Sequence, residues 1–403
     1  MKTIAIIAEY NPFHTGHEYQ VEKIREDFGH DARIISIMSG NYTQRGSIAI
    51  MDKSTRAECA VRCGVNLVLE IPFPFSCSSA EFFAKSGVYI ASKLGVVDIL
   101  SFGSELGDIN KIKQIAINMQ SETYLDTLSD LIDSSNHKNI GYPALCEKAY
   151  KLTFHAELNS DYFTPNNILA FEYIKAIHSL GSSIDVHTVK RVGADYSDNE
   201  ISNQAHQSAT AIRGLMLSNI DSAIKYIPIN AKKAVESAYK NKHIPCIEDK
   251  LASAVISHFR LNSPKAKIHD ADGGLYNRLQ NASFEASTIS KLTEIADTKK
   301  YTSARIRRAI WYSFFGVTSS EVNELPNYTQ VLAMDSVGKS ILKDVKKKTH
   351  FPIVTKPSSF DFLPETAKAQ KELSDKADSV FQLTKPEPTH GNLSLKTSPF
   401  ILK

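Results

Sequence analysis

The residues whose types and spacing best suit chemistry lie near the start of the chain: Glu9-Tyr10-Asn11-Pro12-Phe13-His14-Thr15-Gly16-His17. Pro12 stops an extended run, Gly16 permits close backbone approach, and His14 and His17 fall where a helical pattern begins. A helix N-terminus that follows a parallel strand offers N–H groups and a positive dipole end, which suit phosphate. Two imidazoles three residues apart can both reach one phosphoryl group. Phosphoryl and nucleotidyl transfer need position and charge stabilisation more than covalent chemistry, and imidazole donors answer that need. The rivals are histidines satisfied locally at a turn and a zinc pair, although no third ligand stands nearby in sequence.

A strand, then Asn-Pro-Phe-His-Thr-Gly-His, then a helix resembles the HxGH signature of the nucleotidylyltransferase superfamily, whose members attack the α-phosphate of a nucleotide and release pyrophosphate. Ser208-Ala209-Thr210-Ala211-Ile212-Arg213 is similar to the second signature of that superfamily, SSTxIR, with alanine in place of the second serine. Further segments resemble the bacterial tRNA(Met) cytidine acetate ligase family: Met38 to Gly46, Ser101 to Glu105, Pro165 to Ala170, Lys190 to Tyr196, and Thr298 to Arg308. The matches spread from residue 4 to about residue 316, so the resemblance covers some three quarters of the chain.

The resemblance implies an α/β fold, a Rossmann-like parallel sheet of the HxGH nucleotidyltransferase type followed by a mostly helical domain. It also implies a reaction in two steps. Acetate attacks ATP to give acetyl-adenylate and pyrophosphate, and the acetyl group then passes to N4 of the wobble cytidine of elongator tRNA(Met). His14 and His17 would be catalytic. By the same carry-over the ATP site would comprise Ile7, Ala8, Glu9, Tyr10, Asn11, Pro12, Phe13, His14, Thr15, Gly16, His17, Glu18, Tyr19 and Gln20, with Gly103, Asn166 or Asn167, and Arg191. Gly103 would spare a base or ribose the crowding of a Cβ, either asparagine could hydrogen-bond adenine or ribose, and Arg191 could grip phosphate. Ser208 as a helix cap and Arg213 one turn later would hold the β- and γ-phosphates. Mg2+ is expected on phosphate-chemistry grounds, with no carboxylate cluster to name its ligands.

Gln44, Arg45 and Asp52 follow the second strand on the same sheet edge and could orient the acetate carboxylate or a flipped cytosine, both of which want planar, fixed donors. For RNA the best patch is Lys299-Lys300-Tyr301 with Arg305 and Arg308, which share a helix face while Ile306 and Ile310 point elsewhere. Lys346-Lys347-Lys348 reads as a solvated surface. Two rival functions are an adenylyltransferase acting on a small cofactor precursor, which would not need the basic second domain, and a non-catalytic RNA-binding protein with the same fold.

The elements that must position these groups follow from hydrophobic periodicity. Strands are predicted at Thr3–Ala8, Ala32–Met38, Asn66–Glu70, Val96–Ser101 and Asp185–Val189, and helices at His17–Phe28, Ser54–Cys63, Ala80–Leu94, Ile168–Leu180 and Thr210–Leu217. Alternating strands and helices predict a parallel sheet covered on both faces, with ligands beyond the carboxyl ends of its strands. The domain reading is a catalytic unit over 1–225 with a helical insertion at about 109–160, a helical basic domain over 226–380, and a loosely packed tail over 381–403. At 403 residues, 42% hydrophobic and 23% charged, the chain is neither a single small module nor disordered, and 47 basic against 44 acidic residues leave its charge uninformative. Five scattered cysteines without CxxC, and no apolar run of membrane-spanning length, predict a cytoplasmic protein without disulfides or membrane contact. The oligomeric state is not legible.

Overall fold

The computed structural model describes residues 1–133, 142–155, 160–192, 207–263, 267–298, 300–391 and 396–403. Gly193 to Tyr196 of the fourth family segment, and Lys299 of the basic patch, lie outside the described residues. The first half alternates β1 (Thr3–Ala8), α1 (Thr15–Phe28), β2 (Arg33–Ser39), α2 (Lys53–Arg62), β3 (Leu67–Ile71), α3 (Ala80–Lys93) and β4 (Ile99–Ser104). A helical excursion follows, α4 (Ile109–Asn118), α5 (Glu122–Asp133), α6 (Tyr142–Phe154) and α7 (Pro165–Ser179), before β5 (Asp185–Lys190). Then come α8 (Ala209–Ser218), α9 (Ile220–Ile224) and α10 (Ile229–Lys240).

Strands β5, β4, β1, β2 and β3 lie side by side and parallel in that order. The chain steps outward from β1 through β2 to β3 and then returns to place β4 on the other flank of β1. The turns leaving β1 and β4 therefore diverge and open a crevice at the carboxyl end of the sheet. Both sheet faces are buried, as the near-continuous apolar strands require. Ala5, Ile7, Ile35, Ile37 and Leu69 pack with α3, α4 and α7, whereas Ile4, Ile6, Ile34, Met38 and Val68 pack with α1, α2 and α10. The two sets alternate along each strand, the period of two that a pleated strand imposes.

Three expectations need correction. The fourth strand begins at Ile99 rather than Val96, because Val96 and Val97 pack on the core from the approach to the strand. The break at residue 225 is not where the sheet unit ends: Ala231, Ala234, Val235 and Ala238 of α10 belong to the core beneath α2. After the helices α11 (Ala252–Leu261), α12 (Leu275–Ser283), α13 (Ile289–Ala296), α14 (Ser303–Phe315) and α15 (Ser319–Asn323), the chain returns to the sheet. There β6 (Thr329–Met334) pairs antiparallel with β3, α16 (Ser336–Lys348) packs on the sheet, and β7 (Ile353–Val354) and β8 (Phe400–Ile401) both pair with β6. The sheet is thus mixed, and the stretch read as a loose tail contributes its last strand. All five cysteines are buried. Among the described residues no helix is long and apolar enough to cross a membrane.

A third core gathers α11 to α14 with α17 (Glu365–Phe381) around Phe259, Leu279, Leu292, Ile310, Trp311 and Phe381. The loop after β2 is pressed into it. Trp311 Nε1 donates to the Gly46 carbonyl at 2.9 Å, and Gly46, at φ +78°, comes so close to α14 that a Cβ there would stand 2.5 Å from the Arg308 nitrogen. A buried charge cluster fastens α17 to the sheet: Lys53 Nζ reaches both Glu70 carboxylate oxygens, at 2.7 and 2.8 Å, and also Asp378, whose other oxygen accepts from Asn41 Nδ2 at 2.8 Å. Removing one partner leaves uncompensated buried charge, so Lys53→Met costs about 3–5 kcal/mol, read as a lowered thermal midpoint. Adding Glu70→Gln and Asp378→Asn recovers part of that loss, and an unchanged midpoint in the single variant refutes the cluster's structural role.

Candidate active site

The turn after β1 is built by groups that converge on its backbone. Tyr10 takes a left-handed conformation (φ +49°), and the Asn11–Pro12 peptide is cis. The Asn11 side-chain oxygen accepts from the Ile50 amide at 2.8 Å, while its carbonyl accepts from Arg213 Nη1 at 2.9 Å. Arg56, fully buried on α2, donates to the carbonyls of Glu9, Ser39, Gly40 and Met51, tying together the ends of β1 and β2. Burial lowers its pKa to about 10, which leaves it charged at neutral pH.

His14 and His17 form a reciprocal cap on α1. His14 Nδ1 accepts from the Gly16 amide at 3.0 Å, and His17 Nδ1 accepts from the His14 amide at 3.3 Å, with ring centroids 4.0 Å apart. A nitrogen that accepts an N–H bears no proton, so each neutral imidazole carries its hydrogen on Nε2. The ring of His17 lies against Tyr10 and Phe13 with one edge on the cavity; that burial, then the nearby Arg191 charge, pushes its pKa down to about 3. The α1 amides are largely committed internally. Thr15 N–H donates to the Tyr226 carbonyl at 3.2 Å and Gly16 N–H to His14, so the expectation that these amides receive phosphate gives way to the imidazoles as donors.

The second motif starts α8. Ser208 Oγ accepts from the Ala211 amide at 3.0 Å, and Arg213 divides its guanidinium between Asn11 and Thr210 Oγ1. Arg213 thus links two motifs some two hundred residues apart in sequence. Ile7, Ala8, Glu9, Tyr10, Asn11, His14, His17, Gln20, Gly103, Asn166, Arg191, Ser208 and Arg213 line one cavity of about 150 Å3. An adjoining recess of about 50 Å3 adds Gly16 and Tyr19 and shares both histidines, Gln20, Gly103 and Arg191. A Cβ at Gly103 would sit 3.4 Å from Arg191 Cγ.

Other expected residues lie elsewhere. Pro12, Phe13, Thr15 and Glu18 line neither space, and Phe13 is fully buried in the core beneath α1. Of the two asparagines, Asn166 faces the cavity and donates to Glu105 Oε1 at 2.5 Å, whereas Asn167 is fully buried and accepts the amides of Glu105 and Leu106 at 3.0 and 3.3 Å. Sequence reasoning missed Glu105 as the organiser: it also accepts from Thr164 Oγ1 at 2.8 Å and lies 3.9 Å from Arg191 Nε. Its one signal was its place at the end of Ser101 to Glu105. It missed too the apolar wall of Phe83, Phe102, Leu169 and Tyr173, although Phe102 and Leu169 fall within the family segments. Ser101, His187 and Asp27 form a hydrogen-bonded chain at 3.0 and 3.1 Å, but Ser101 is fully buried and lines neither cavity.

Gln44 and Arg45 line a second, larger cavity of about 870 Å3, together with Lys300, Arg305 and Arg308. Asp52 is not with them: it caps α2 through the Thr55 amide at 2.9 Å and lies 3.4 Å from Lys385 Nζ. Arg308 corrects the surface reading of the basic helix, being buried and bonded to Asp270 Oδ2 at 2.6 Å, while Arg305 pairs with Asp272. Ile306 and Ile310 are fully buried as expected, and Lys346 to Lys348 end α16 on an exposed surface.

A family model described as HIGH Nucleotidyl Transferase matches residues 1–394. The tRNA(Met) cytidine acetate ligase of Thermoanaerobacter sp. (strain X514) is 33% identical over 379 residues, 93% of each chain. That of Clostridium novyi (strain NT) is 32% identical over 414 residues, covering all of both. The crystal structure of Thermotoga maritima TmcAL bound with alpha-thio ATP superposes over the whole of both chains with a TM-score of 0.90 at 30% identity, and its apo form with 0.91. Motif, fold and likeness agree that the chain belongs to the HIGH nucleotidyl transferase family and, within it, to the tRNA(Met) cytidine acetate ligases.

Proposed function

We propose that this chain uses ATP to activate acetate and passes the acetyl group to N4 of the wobble cytidine of elongator tRNA(Met). The observation that carries the chemistry is the reciprocal histidine cap, which holds two neutral Nε2–H donors on one cavity beside Arg191 and the N-terminal end of α8. An acetate oxygen attacks the α-phosphorus and the bond to the bridging oxygen breaks, releasing pyrophosphate. Negative charge builds on the phosphoryl oxygens and the leaving group, where His14, His17 and Arg191 stabilise it. The α8 N-terminus, lined by Ser208 and Ala209, adds the positive end of a helix dipole. In the second step the cytidine N4 lone pair attacks the acetyl carbonyl, AMP leaves, and the amine loses a proton.

The cavity is smaller than a whole nucleotide needs, so part of a bound ATP would lie at its open mouth. The residues present fit Mg2+ only as a phosphate-borne ion. No group of three His, Cys, Asp or Glu side chains able to hold a metal occurs among the described residues, and Glu9 is the one carboxylate lining the cavity. Mg2+ bound through ATP phosphates with one protein carboxylate would neutralise the departing pyrophosphate.

Acetate-dependent exchange of labelled pyrophosphate into ATP tests the first step. His14→Ala and His17→Ala should each lower it at least 100-fold, in the range lost with a single preorganised donor, while the circular dichroism spectrum stays native. Wild-type exchange in either variant, or exchange that ignores acetate, overturns the reading. Labelled acetate entering tRNA tests the second step, and exchange without labelled RNA would favour a small-molecule acceptor.

The neutral state of His17 also has a stability signature. Between its ordinary pKa of 6.5 and its folded value of about 3 the unfolded chain binds a proton that the folded ring refuses, so stability rises with pH there and is lost on acidification. The fall in thermal midpoint from pH 7.5 to pH 5 should therefore be smaller in His17→Asn, with the remainder coming from His187, His258 and His269, whose pKa values burial also lowers. An identical fall in both proteins refutes the neutral, capped His17.

A further inference from the structure

The 870 Å3 chamber is separate from the cavity at the two histidines, yet adjoins it. Leu169 lines both, and Glu9 Oε1, on the nucleotide side, accepts the amide of Gln44, on the chamber side, at 2.8 Å. Its lining includes the apolar Leu145, Pro165 and Ile168, the α14 residues Ala304 and Arg305, the carboxylates Glu81, Glu172 and Asp297, and Arg45, exposed on the loop after β2. We infer that this chamber receives a single nucleotide extruded from an RNA loop and presents its base edge to the activated carboxylate, an inference that rests on the acyl-transfer reading above. Four observations lead there. The volume lies within the range that encloses a small ligand, about 300–1,000 Å3. An enzyme acting on a base must take it out of the stack into a separate pocket. The lining offers apolar side chains for the ring and Arg45 and Lys300 for the phosphodiester, while Arg305 and Arg308 are held by Asp272 and Asp270. Gln44, whose Nε2 is occupied by the Ser78 carbonyl at 3.1 Å, keeps an amide oxygen as the kind of acceptor an amino-pyrimidine edge requires.

The geometry also explains why the helical core must dock on the loop after β2: neither body alone encloses the space. A small carboxylate or cofactor precursor would not need a second cavity of this size.

The test fills the chamber from its α14 side. Ala304→Trp in the full-length protein should leave acetate-dependent pyrophosphate exchange and the KM for ATP unchanged, while kcat/KM for acetylation of an anticodon stem-loop RNA falls at least tenfold through a raised KM for RNA. Wild-type RNA acetylation in this variant overturns the inference, and a raised KM for ATP overturns it by assigning the chamber to ATP. Should Ala304→Trp not fold, the smaller Ala304→Leu reads the same pair of activities with the same expectations. Absence of acetate-dependent exchange in the wild-type protein would instead defeat the underlying acyl-transfer reading, so the two failures are distinguishable.

Discussion

Everything in the site depends on a turn of six residues held between two guanidinium groups. Arg56 draws the Glu9 carbonyl toward the end of β2, and Arg213 draws the Asn11 carbonyl toward α8. An irregular turn has little regular hydrogen bonding of its own, so buried donors from elsewhere fix its carbonyls. With the turn fixed, α1 starts in one place and the two histidines can cap it. The imidazoles cap the helix through Nδ1, and that use fixes the tautomer that the proposed donor role of Nε2 needs.

A second constraint organises the opposite end of the crevice. The helical body is not tethered beside the sheet unit but locked to it, by Trp311 on Gly46 and by the buried cluster of Lys53, Glu70 and Asp378. A buried ion cluster adds little net stability compared with apolar packing, but it penalises any docking that leaves one charge unpaired. That selectivity suits an interface whose product is an enclosed space. The cavity at the two histidines is made within the sheet unit, and the larger chamber is lined by that unit and α14 together.

How far residues reveal their roles varied with the range of the interactions that decide them. Strands β1, β2 and β3 came within a residue or so of their positions, because buried parallel strands are continuous apolar runs, and so did β5, a half-exposed edge strand of mixed polarity. β6 was missed, since Thr329–Met334 is a short run in a helix-rich stretch and becomes a strand by pairing with β3 across more than two hundred and fifty residues. Asn166 and Asn167 were indistinguishable as letters. One step along a helix turns a side chain by about 100°, enough to face one to the cavity and bury the other in the β4–α4 turn. Arg305 and Arg308 share a face of α14 as expected, yet the depth of the docking leaves the first half-exposed and buries the second on Asp270.

The sequence by itself determined the chemistry and the sheet that carries it: the HTGH turn after an apolar strand, the βαβ alternation and the partner motif at Ser208 to Arg213 are local patterns, and local patterns survive without coordinates. Only the tertiary structure decided which of those residues face the reacting groups and which hold the frame. It joined Arg213 to Asn11, moved Asp52 away from the site and brought Gln44 and Arg45 opposite α14. The reason is physical. Side-chain identity and period are properties of a short stretch of chain, whereas burial, facing and enclosure arise only when distant segments pack against one another.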